Sequence, residues 1–409
     1  MNTKRVLVVG GGAAGLAAAI CAACKGARVT VLEKLDRVGK KILATGNGRC
    51  NIINAGALRY HGDAAFAQKV LEKVDTKKVT AFFEGLGLSL RQEEEDRVYP
   101  ASGMASSVLD VLRLGCNRYG VETICGAPVH RIERLPNGWA AIVGDKRYAG
   151  NALIITGGGK ASPKLGSDGS AYALLQSLGH TLVAPKPAIT QIKTELEPIR
   201  GLSGIRVKAE ISLAKGGNTV GLEQGEILFT EYGISGVAAM QLSRDAAGGV
   251  LHVGLAPAMN VCEESLPALF QSRAALFGDA PLEQFFLGLT HSRLGMAIFK
   301  RAGIGPLSRP CASLSMKEIS ALCAVVRDFS LHVTGVQGYE NAQVTAGGMD
   351  TRDFDPATMA SHLHKGLYAA GEVLNVDGAC GGYNLLFAWA GGMLAGESAA
   401  DYSAAMDKR

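Results

Sequence analysis

The stretch VLVVGGGAAG at residues 6–15 decides the fold, because a β-branched run there ends in a glycine turn. An apolar stretch follows from 16 to 24, and a second β-branched run, RVTVL at 28–32, ends at Glu33. The order of strand, glycine turn, helix, strand and acid predicts a dinucleotide-binding βαβ unit. A glycine-rich turn without a ligand is the alternative, but both flanking strands and the acid favour a dinucleotide.

Each residue of this motif has a physical role in binding a pyrophosphate. Gly10 permits the tight turn, Gly12 lets the backbone approach the phosphates, and Gly15 lets the helix pack closely on the sheet. The helix N-terminus adds N–H groups and the positive end of its dipole. Glu33 has the spacing of an acid that bonds a ribose 2′-OH, which disfavours NADP in this first site. The motif alone does not choose between NAD and FAD.

Length and composition indicate a globular chain of more than one domain. The 409 residues exceed one ordinary domain, and 47% apolar residues provide a large core. The net charge of +5 comes from scattered basic residues that acids nearly balance, so no nucleic-acid partner is expected. Nine cysteines and no apparent secretory leader predict reduced thiols and a cytoplasmic protein. No metal site is predicted.

The charge-free run 6–24 could be mistaken for a signal peptide or a membrane anchor, because it follows two basic residues. Its three consecutive glycines and the strand after it instead indicate a buried βα unit. We therefore expect no membrane association.

Residue patterns beyond the first unit predict a split α/β domain with an insertion. Helical periodicity at 63–86 and 106–118 precedes an antiparallel meander that starts near Val129. The acidic turn at 93–96 is interpreted as solvated. The predicted domains are a Rossmann-like α/β domain formed by 1–188 and 335–409, an inserted β domain at 189–260, and a helical subdomain at 261–334 that includes a helix at 282–289.

Four further motifs carry a family resemblance. They are KILATGNGRCN at 41–51, SPKLGS at 162–167, FTEYGISG at 229–236, and GEVLNVDG at 371–378 with GGYN at 381–384. Together with the glycine turn they resemble the BaiN-like, aminoacetone-oxidase-type flavoproteins, within the two-dinucleotide-binding-domain superfamily. Two departures from the family pattern are Glu231 and Val237, where the family usually has His and Pro. Glu372 and Asn375 also replace the acids of the commoner Gly-Asp and Leu-Asp patterns.

The resemblance implies a split FAD-binding domain, a β-barrel-like insertion and a small helical subdomain, with FAD as cofactor and NAD(P)H as a transient electron donor. It implies that Val129 meets the adenine and that the last helix points its N-terminus at the pyrimidine edge of the flavin. The implied FAD-binding residues are Gly10, Gly12, Ala13, Ala14, Gly15, Glu33, Lys34, Lys41, Thr45, Gly46, Asn47, Arg49, Cys50, Asn51, Val129, Thr156, Gly157, Gly371, Glu372, Gly382, Tyr383, Asn384 and Leu385.

The resemblance also suggests the reaction. A C=C bond conjugated to a carbonyl, as in a steroid-like or bile-acid-like enone, is the first hypothesis for the acceptor. Oxidation of a small amine or ketone by O₂ is the second, and a non-redox role linked to nucleic acid is the third. An enone reductase needs a proton donor, for which the candidates are Tyr383, Glu231, Arg49 and Cys50. A small-molecule substrate is expected in the first two cases.

Overall fold

The structure is a computed structural model that describes residues 4–406 of the chain. The chain divides into two compact units, one formed by residues 4–187 and 342–406 and the other by Ala188–Asn341. Within residues 4–406, no helix is long and apolar enough to cross a bilayer. The nine cysteines all lie in this range and form no disulfide.

A five-stranded parallel sheet forms the centre of the first unit. Strand Arg5–Val9 pairs in parallel with Ala152–Ile155 on one side and Arg28–Leu32 on the other. Its apolar residues are buried, as expected for a parallel strand covered on both faces. The predicted Rossmann-like domain is therefore confirmed, and a strand from the C-terminal part completes it. In spatial order the strands are Leu367–Ala369, Ala152–Ile155, Arg5–Val9, Arg28–Leu32 and Glu122–Ile124.

The first helix, Ala13–Cys24, and the last helix, Tyr383–Met406, are in close backbone contact. A Cβ atom at Gly392 would lie 2.3 Å from the carbonyl oxygen of Ala14, and one at Gly396 would lie 2.2 Å from that of Ala18. Only glycine permits this approach. The other helices of this unit are Lys40–Ala44, Ala64–Lys73, Thr76–Gly85, Ala105–Arg118 and Ser170–Gln176.

Several predicted elements have different limits in the structure. The helical range at 63–86 is two helices, because the Asp63 and Asp75 carboxylates each cap a new N-terminus. Val129 lies just before the meander, whose first strand begins at Arg131. The antiparallel ladders of this unit are Arg131–Leu135 with Gly138–Val143 and Lys146–Gly150; Ile53–Asn54 with Arg97–Pro100 and Leu90–Gln92; Tyr60–Gly62 with Val376–Gly378; and Leu182–Ala188 with Val344–Met349.

The second unit is a closed antiparallel barrel with helices that share its hydrophobic core. This arrangement confirms the β-barrel-like insertion and the helical residues after it. The barrel strands in spatial order are Ile192–Thr194, Gly233–Ser235, Asn218–Phe229, Arg206–Lys215, Val250–Gly254 and Leu331–Val336, and the helices are Val237–Leu242, Leu266–Phe277, Ser292–Arg301 and Met316–Arg327.

Two parts of the predicted helical subdomain differ from the prediction. The last barrel strand, Leu331–Val336, begins inside the range 261–334 and alternates between buried and exposed residues over its first four positions. The helix expected at 282–289 is a single 3₁₀ turn, Leu282–Gln284, followed by further turns. There the adjacent rings of Phe285 and Phe286 both pack into the core, edge to face at 5.1 Å. Two neighbouring buried aromatics favour an irregular turn over one apolar helical stripe.

Candidate cofactor-binding site

The three motif glycines of the first turn have different surroundings. A Cβ at Gly10 would lie 2.6 Å from the Thr156 carbonyl oxygen, and one at Gly15 would lie 1.9 Å from the Gly10 carbonyl oxygen. Gly12, by contrast, has no protein atom within 4 Å of a Cβ position and has an ordinary φ of −84°. The protein's own packing therefore requires Gly10 and Gly15, whereas Gly12 faces open space at the helix N-terminus.

Glu33 holds this turn from the second strand. One carboxylate oxygen accepts from the Gly11 N–H at 2.7 Å, and the other accepts from the Leu35 N–H at 2.9 Å. Glu33 is buried, and a carboxylate has lone pairs left for a ribose hydroxyl after accepting two bonds. The Ala127 N–H donates to the Glu33 carbonyl at 2.8 Å, which brings the segment containing Val129 to this end of the site.

Thr156 and Gly157 support the turn from the neighbouring strand. The Thr156 hydroxyl donates to the carbonyl oxygens of Val9 and Gly10, at 3.0 and 2.8 Å. A Cβ at Gly157 would lie 2.7 Å from Cβ of Ala171, so this glycine lets the following helix approach. Lys34 is also engaged within the protein, because its ammonium contacts the Asp168 carboxylate at 2.5 Å.

Lys41 and Glu372 meet although they are far apart in sequence. The Lys41 ammonium lies 2.6 Å from one Glu372 oxygen, and the other oxygen accepts from the Thr345 N–H and hydroxyl at 3.0 and 2.9 Å. Thr345 was missed by the sequence analysis, since it lies outside every glycine motif. Its hydroxyl oxygen also accepts from two backbone N–H groups, those of Lys160 and Ala161. Both carboxylate oxygens of Glu372 therefore have partners within the protein, although this side chain is one methylene longer than the Asp that is commoner in the family pattern.

The 45–51 loop has an unusual backbone. Gly46, Asn47, Gly48 and Cys50 all have positive φ, between 54° and 84°. A non-glycine residue in this region is strained, and such residues cluster at functional sites. The Thr45 hydroxyl donates to the Ile42 carbonyl at 2.7 Å and so holds the start of the loop. Burial raises the pKa of the Cys50 thiol to about 12, so this thiol stays protonated.

Arg49 projects from the same loop onto the acidic turn at 93–96. Its guanidinium lies 2.6 Å from the Glu93 carboxylate and 4.1 Å from the centre of the Tyr99 ring. Hydrogen bonds from Arg49 and Arg91 lower the pKa of Glu93. The turn is exposed at 94–96, as expected of a solvated turn, but Glu93 is half-buried and anchors a residue of the candidate site.

The last helix begins at a second glycine-rich turn. The Asn384 side chain accepts from the Gly378 N–H and donates to the Gly378 carbonyl, both at 2.8 Å, and so closes the 378–384 loop. Tyr383 is buried, and the Tyr60 hydroxyl donates to its carbonyl at 2.8 Å. A Cβ at Gly371 would lie 2.9 Å from Cβ of Ala14, so the C-terminal motif reaches the first helix. Leu385 is half-buried in the same core.

Two buried polar atoms at these turns lack a partner within residues 4–406: Oδ1 of Asn51 and Oγ of Ser167. Each faces a glycine of positive φ, since a Cβ at Gly382 would lie 2.8 Å from the first and one at Gly158 would lie 2.9 Å from the second. Buried polar atoms are almost always hydrogen-bonded, so each of these two could be completed by a water, an ion or a ligand. Ser167 was quoted within a motif but was not assigned to the site.

The first unit thus contains every residue of the predicted site except Glu231, which is exposed in the second unit. The site has four glycine-led turns, an open helix N-terminus, an acid suited to a ribose hydroxyl and two unpartnered polar atoms. This set of features fits a dinucleotide cofactor that carries polar groups at both of its ends. Among the described residues, no group of three His, Cys, Asp or Glu side chains could hold a metal ion.

The sheet and the glycine turn define a dinucleotide-binding protein of the Rossmann class. The chain belongs to the HI0933-like family, whose Rossmann domain matches residues 4–398. The resemblance to the BaiN-like flavoproteins is therefore confirmed, and the chain is an FAD-dependent oxidoreductase.

Relatives cover almost the whole chain. The 3-dehydro-bile acid delta(4,6)-reductase of Clostridium scindens is 36% identical and covers 97% of this chain and 99% of its own. The ribosomal RNA dihydrouridine synthase of Haemophilus influenzae is 28% identical and covers 94% and 95%. A solved quinol-fumarate reductase has the same fold, with a TM-score of 0.50 at 16% identity, and covers 99% of this chain and 72% of its own.

Proposed function

We propose that this protein reduces a C=C bond conjugated to a ketone in a small steroid-like molecule, with NAD(P)H as the electron donor. The observation that carries the proposal is the 36% identity, over 97% of the chain, to an enzyme named for reducing a 3-dehydro-bile acid. The site supports the cofactor part, because its open turn and unpartnered polar atoms suit FAD. When bound, FAD supplies the hydride.

Residues of this chain would hold the diphosphate, a ribose and the polar middle of the cofactor. The open backbone at Gly12 suits the diphosphate, and Glu33 suits the ribose hydroxyl. Lys41 is held by Glu372 near the C-terminal motif, where its positive charge suits the polar middle of the cofactor. These assignments are tested by cofactor affinity rather than by turnover.

Reduction of an enone places a hydride on the carbon β to the carbonyl and a proton on the α carbon. Of the four candidate donors, Tyr383 suits this role best. A phenol is protonated at neutral pH, and burial raises the pKa of this one further, so Tyr383 carries a proton to donate. Cys50 is completely buried and offers a substrate no surface, and Arg49 is held in an ion pair with Glu93. Glu231 is an exposed carboxylate in the barrel unit.

The Tyr383 assignment predicts a specific loss. Tyr383→Phe keeps the ring and the backbone of this implied FAD-binding residue, and it should lower kcat for an enone by about 100-fold, the lower range for general acid catalysis. The matched control is Tyr60→Phe, which removes the hydroxyl that bonds the Tyr383 carbonyl but leaves the Tyr383 hydroxyl in place. Equal activity of Tyr383→Phe and the wild type would exclude Tyr383 as the proton donor.

A second candidate is reduction of the uracil C5=C6 bond in RNA, which is also conjugated to a carbonyl. The observation that favours it is the similarity to two ribosomal RNA dihydrouridine synthases, at 28% and 26% identity. Charge argues against the barrel unit as an RNA surface, since residues 188–341 contain 13 Lys and Arg but 14 Asp and Glu. The remaining chain has 29 basic and 23 acidic residues.

One experiment separates these functions. The FAD-loaded protein is mixed anaerobically with NADH or NADPH, and the loss of the flavin absorbance at its visible maximum is followed. The reduced protein is then offered a 4-en-3-one steroid, O₂ and an unmodified rRNA fragment in separate mixes. Fast reoxidation by the steroid with product formation supports the proposal. Reoxidation only by O₂ indicates an oxidase, and dihydrouridine formation with salt-sensitive RNA binding indicates the second candidate. No bleaching by either nucleotide would exclude NAD(P)H as donor.

A further inference from the structure

Arginines gather on one face of a small antiparallel sheet in the first unit. Its strands are Ile53–Asn54, Arg97–Pro100 and Leu90–Gln92. Directly paired residues of an antiparallel sheet lie on the same face, as do residues two apart on one strand. Arg91 pairs with Tyr99, and Asn54 pairs with Arg97, so these four residues share one face, which we call the arginine face. Neither Arg91 nor Arg97 is among the implied FAD-binding residues.

A third guanidinium reaches the arginine face from the 45–51 loop. The Arg49 guanidinium lies 4.1 Å from the centre of the Tyr99 ring, and its Nη2 donates to Oε1 of Glu93 at 2.6 Å. Arg91 donates to the same oxygen from Nε at 3.1 Å and from Nη2 at 2.6 Å. One carboxylate oxygen therefore accepts three N–H bonds, and two positive charges meet a single negative charge.

Both guanidiniums keep donors for a ligand. Each has five N–H groups, of which Arg49 uses one and Arg91 uses two in the part of the chain that the structure describes. Their side chains are 39% and 53% exposed, so a dissolved molecule can reach them. Stacking on the Tyr99 ring restrains Arg49, so this side chain loses less entropy when it binds a ligand. The Arg49–Arg91 pair is therefore an accessible and partly ordered cationic group.

The arginine face adjoins the turn before the last helix. The Asn54 side chain donates to the Gly381 carbonyl at 2.8 Å, and a Cβ on Gly381 would lie 3.3 Å from Nε of Arg97. Tyr383, the proton donor of the proposed reaction, follows two residues later. Burial raises the pKa of Tyr383, and the positive charges of Arg59 and Arg97 partly oppose that rise. The face therefore borders the place where the proposed reaction occurs.

This position suits a molecule whose anionic group is remote from its reacting bond. Tyr99, on which Arg49 stacks, lies two residues beyond Arg97, about 7 Å along the strand. Planar guanidiniums bind carboxylates and phosphates through paired N–H bonds. Two small molecules of the proposed reaction can carry such an anion. They are a steroid-like substrate with an acid side chain and NAD(P)H with its diphosphate.

We propose that the Arg49–Arg91 pair binds an anionic group, a carboxylate or a phosphate, of a small molecule that takes part in the reaction. The proposal rests on the proposed function. It assigns Arg91 to the recognition of that anion, in a place that the diphosphate turn at 10–15 does not reach along the sequence.

A second arginine–glutamate triad provides a matched control. Arg131 and Arg147 both contact Glu133, but each contacts a different carboxylate oxygen, at 2.8 and 3.1 Å. Their side chains are 64% and 55% exposed, similar to that of Arg91. The loss of one of these charges should therefore match the loss of Arg91 in its general electrostatic effect, without removing a guanidinium from the arginine face.

The first measurement uses the oxidised, FAD-loaded, full-length protein, which lacks the electrons to reduce a steroid. A 4-en-3-one steroid with a side-chain carboxylate and its methyl ester are titrated separately, and the change in flavin absorbance gives each Kd. The wild type should bind the acid about fivefold more tightly than the ester, the effect of a half-exposed charge-assisted hydrogen bond. In Arg91→Gln the ratio should approach one, whereas Arg131→Gln should keep the fivefold ratio.

The second measurement tests the other source of the anion. The same three proteins are mixed anaerobically with NADH or NADPH, and the concentration that gives half the maximal rate of flavin bleaching is determined. If the pair binds the diphosphate, this concentration should rise about fivefold in Arg91→Gln and stay unchanged in Arg131→Gln.

The two measurements together decide the proposal. An acid preference that Arg91→Gln removes supports a carboxylate, and a selective rise in the half-saturating nucleotide concentration supports a phosphate. The proposal is overturned if Arg91→Gln changes neither value, or if Arg131→Gln changes them equally. Loss of rRNA binding alone in Arg91→Gln also overturns it. If neither steroid perturbs the flavin, the proposed substrate is refuted, and the nucleotide measurement then decides the role of the pair.

Arg91→Lys separates the charge from the planar shape of the guanidinium. Lysine keeps the positive charge but lacks the fork of N–H groups, so the preference for the favoured anion should fall to about twofold. This variant also carries the test if Arg91→Gln fails to fold, which circular dichroism would show. Full wild-type preference in Arg91→Lys would overturn recognition through paired N–H bonds.

Discussion

The N-termini of the first and last helices both follow glycine turns, but they are built in opposite ways. At the first, Glu33 and Thr156 bond the turn itself, and the glycines at 10 and 15 pack against backbone atoms. At the last, Asn384 closes the loop, while the Asn51 oxygen is left without a protein partner. The first turn is therefore a rigid frame with open backbone, whereas the turn before the last helix is closed by an asparagine side chain.

The largest expected effect concerns the rigid frame. Gly15→Ala places a methyl group 1.9 Å from the Gly10 carbonyl oxygen and 2.7 Å from the Thr156 hydroxyl, so the first helix must move. We expect a loss of about 3 kcal/mol or more in the unfolding free energy of the apoprotein, measured by urea denaturation. The control is Gly12→Ala, which meets no atom within 4 Å and should change the stability by less than about 0.5 kcal/mol.

The second prediction tests whether the open space beside Gly12, in the same turn, is needed for the cofactor and not for the packing of the protein. Gly12→Val fits the extended backbone at this position, so the apoprotein should fold normally. Its side chain should fill the space that the diphosphate needs and lower FAD affinity about 100-fold, or about 2.7 kcal/mol. Equilibrium dialysis of the refolded apoprotein with FAD measures this. Wild-type affinity would contradict the assignment of Gly12 to the diphosphate.

The third prediction concerns the loop before the last helix. Asn384→Ala removes both hydrogen bonds to the Gly378 backbone and leaves a donor and an acceptor without partners. We expect a loss of about 2 kcal/mol in unfolding free energy, whereas Asn51→Leu removes an oxygen without a protein partner and should leave the unfolding free energy of the apoprotein unchanged. A larger loss of stability in Asn384→Ala than in Asn51→Leu would support the contrast between a hydrogen-bonded and an unpartnered amide. Equal losses in the two variants would contradict it.

The smallest effect tests whether the loop beside Asn51 contributes reactive chemistry. With a pKa of about 12, the Cys50 thiol is only about 0.01% thiolate at pH 8, and it is fully buried. Iodoacetamide should therefore label exposed Cys24 in the folded protein and leave Cys50 unlabelled, as read by peptide mass spectrometry. Rapid labelling of Cys50 at native pH would contradict the buried, unreactive thiol.

The same contrast shows which parts of the site can be predicted from sequence. Gly10, Gly15 and Glu33 all lie within residues 10–33, and their spacing follows from the geometry of one strand, one turn and one helix. Three other features depend on segments that only the finished fold brings together. They are the hydrogen bond of Thr345 to Glu372, the ion pair of Glu93 with Arg49, and the position of Asn51 beside Gly382. The periodicity of neighbouring residues in the sequence does not predict such long-range contacts. The same limit applies to the barrel strand Leu331–Val336, whose partners are Ile192–Thr194 and Val250–Gly254.

The glycine contact between the first and last helices has a consequence for synthesis of the chain on the ribosome. Gly392 and Gly396 follow Ala14 and Ala18 by more than 370 residues. The first helix must therefore wait for that length of chain to be made before it is covered, while the residues of the barrel unit lie between them, are continuous in sequence and can fold earlier. A nascent chain that stalls before residue 392 would expose an apolar βα unit and be a substrate for chaperones.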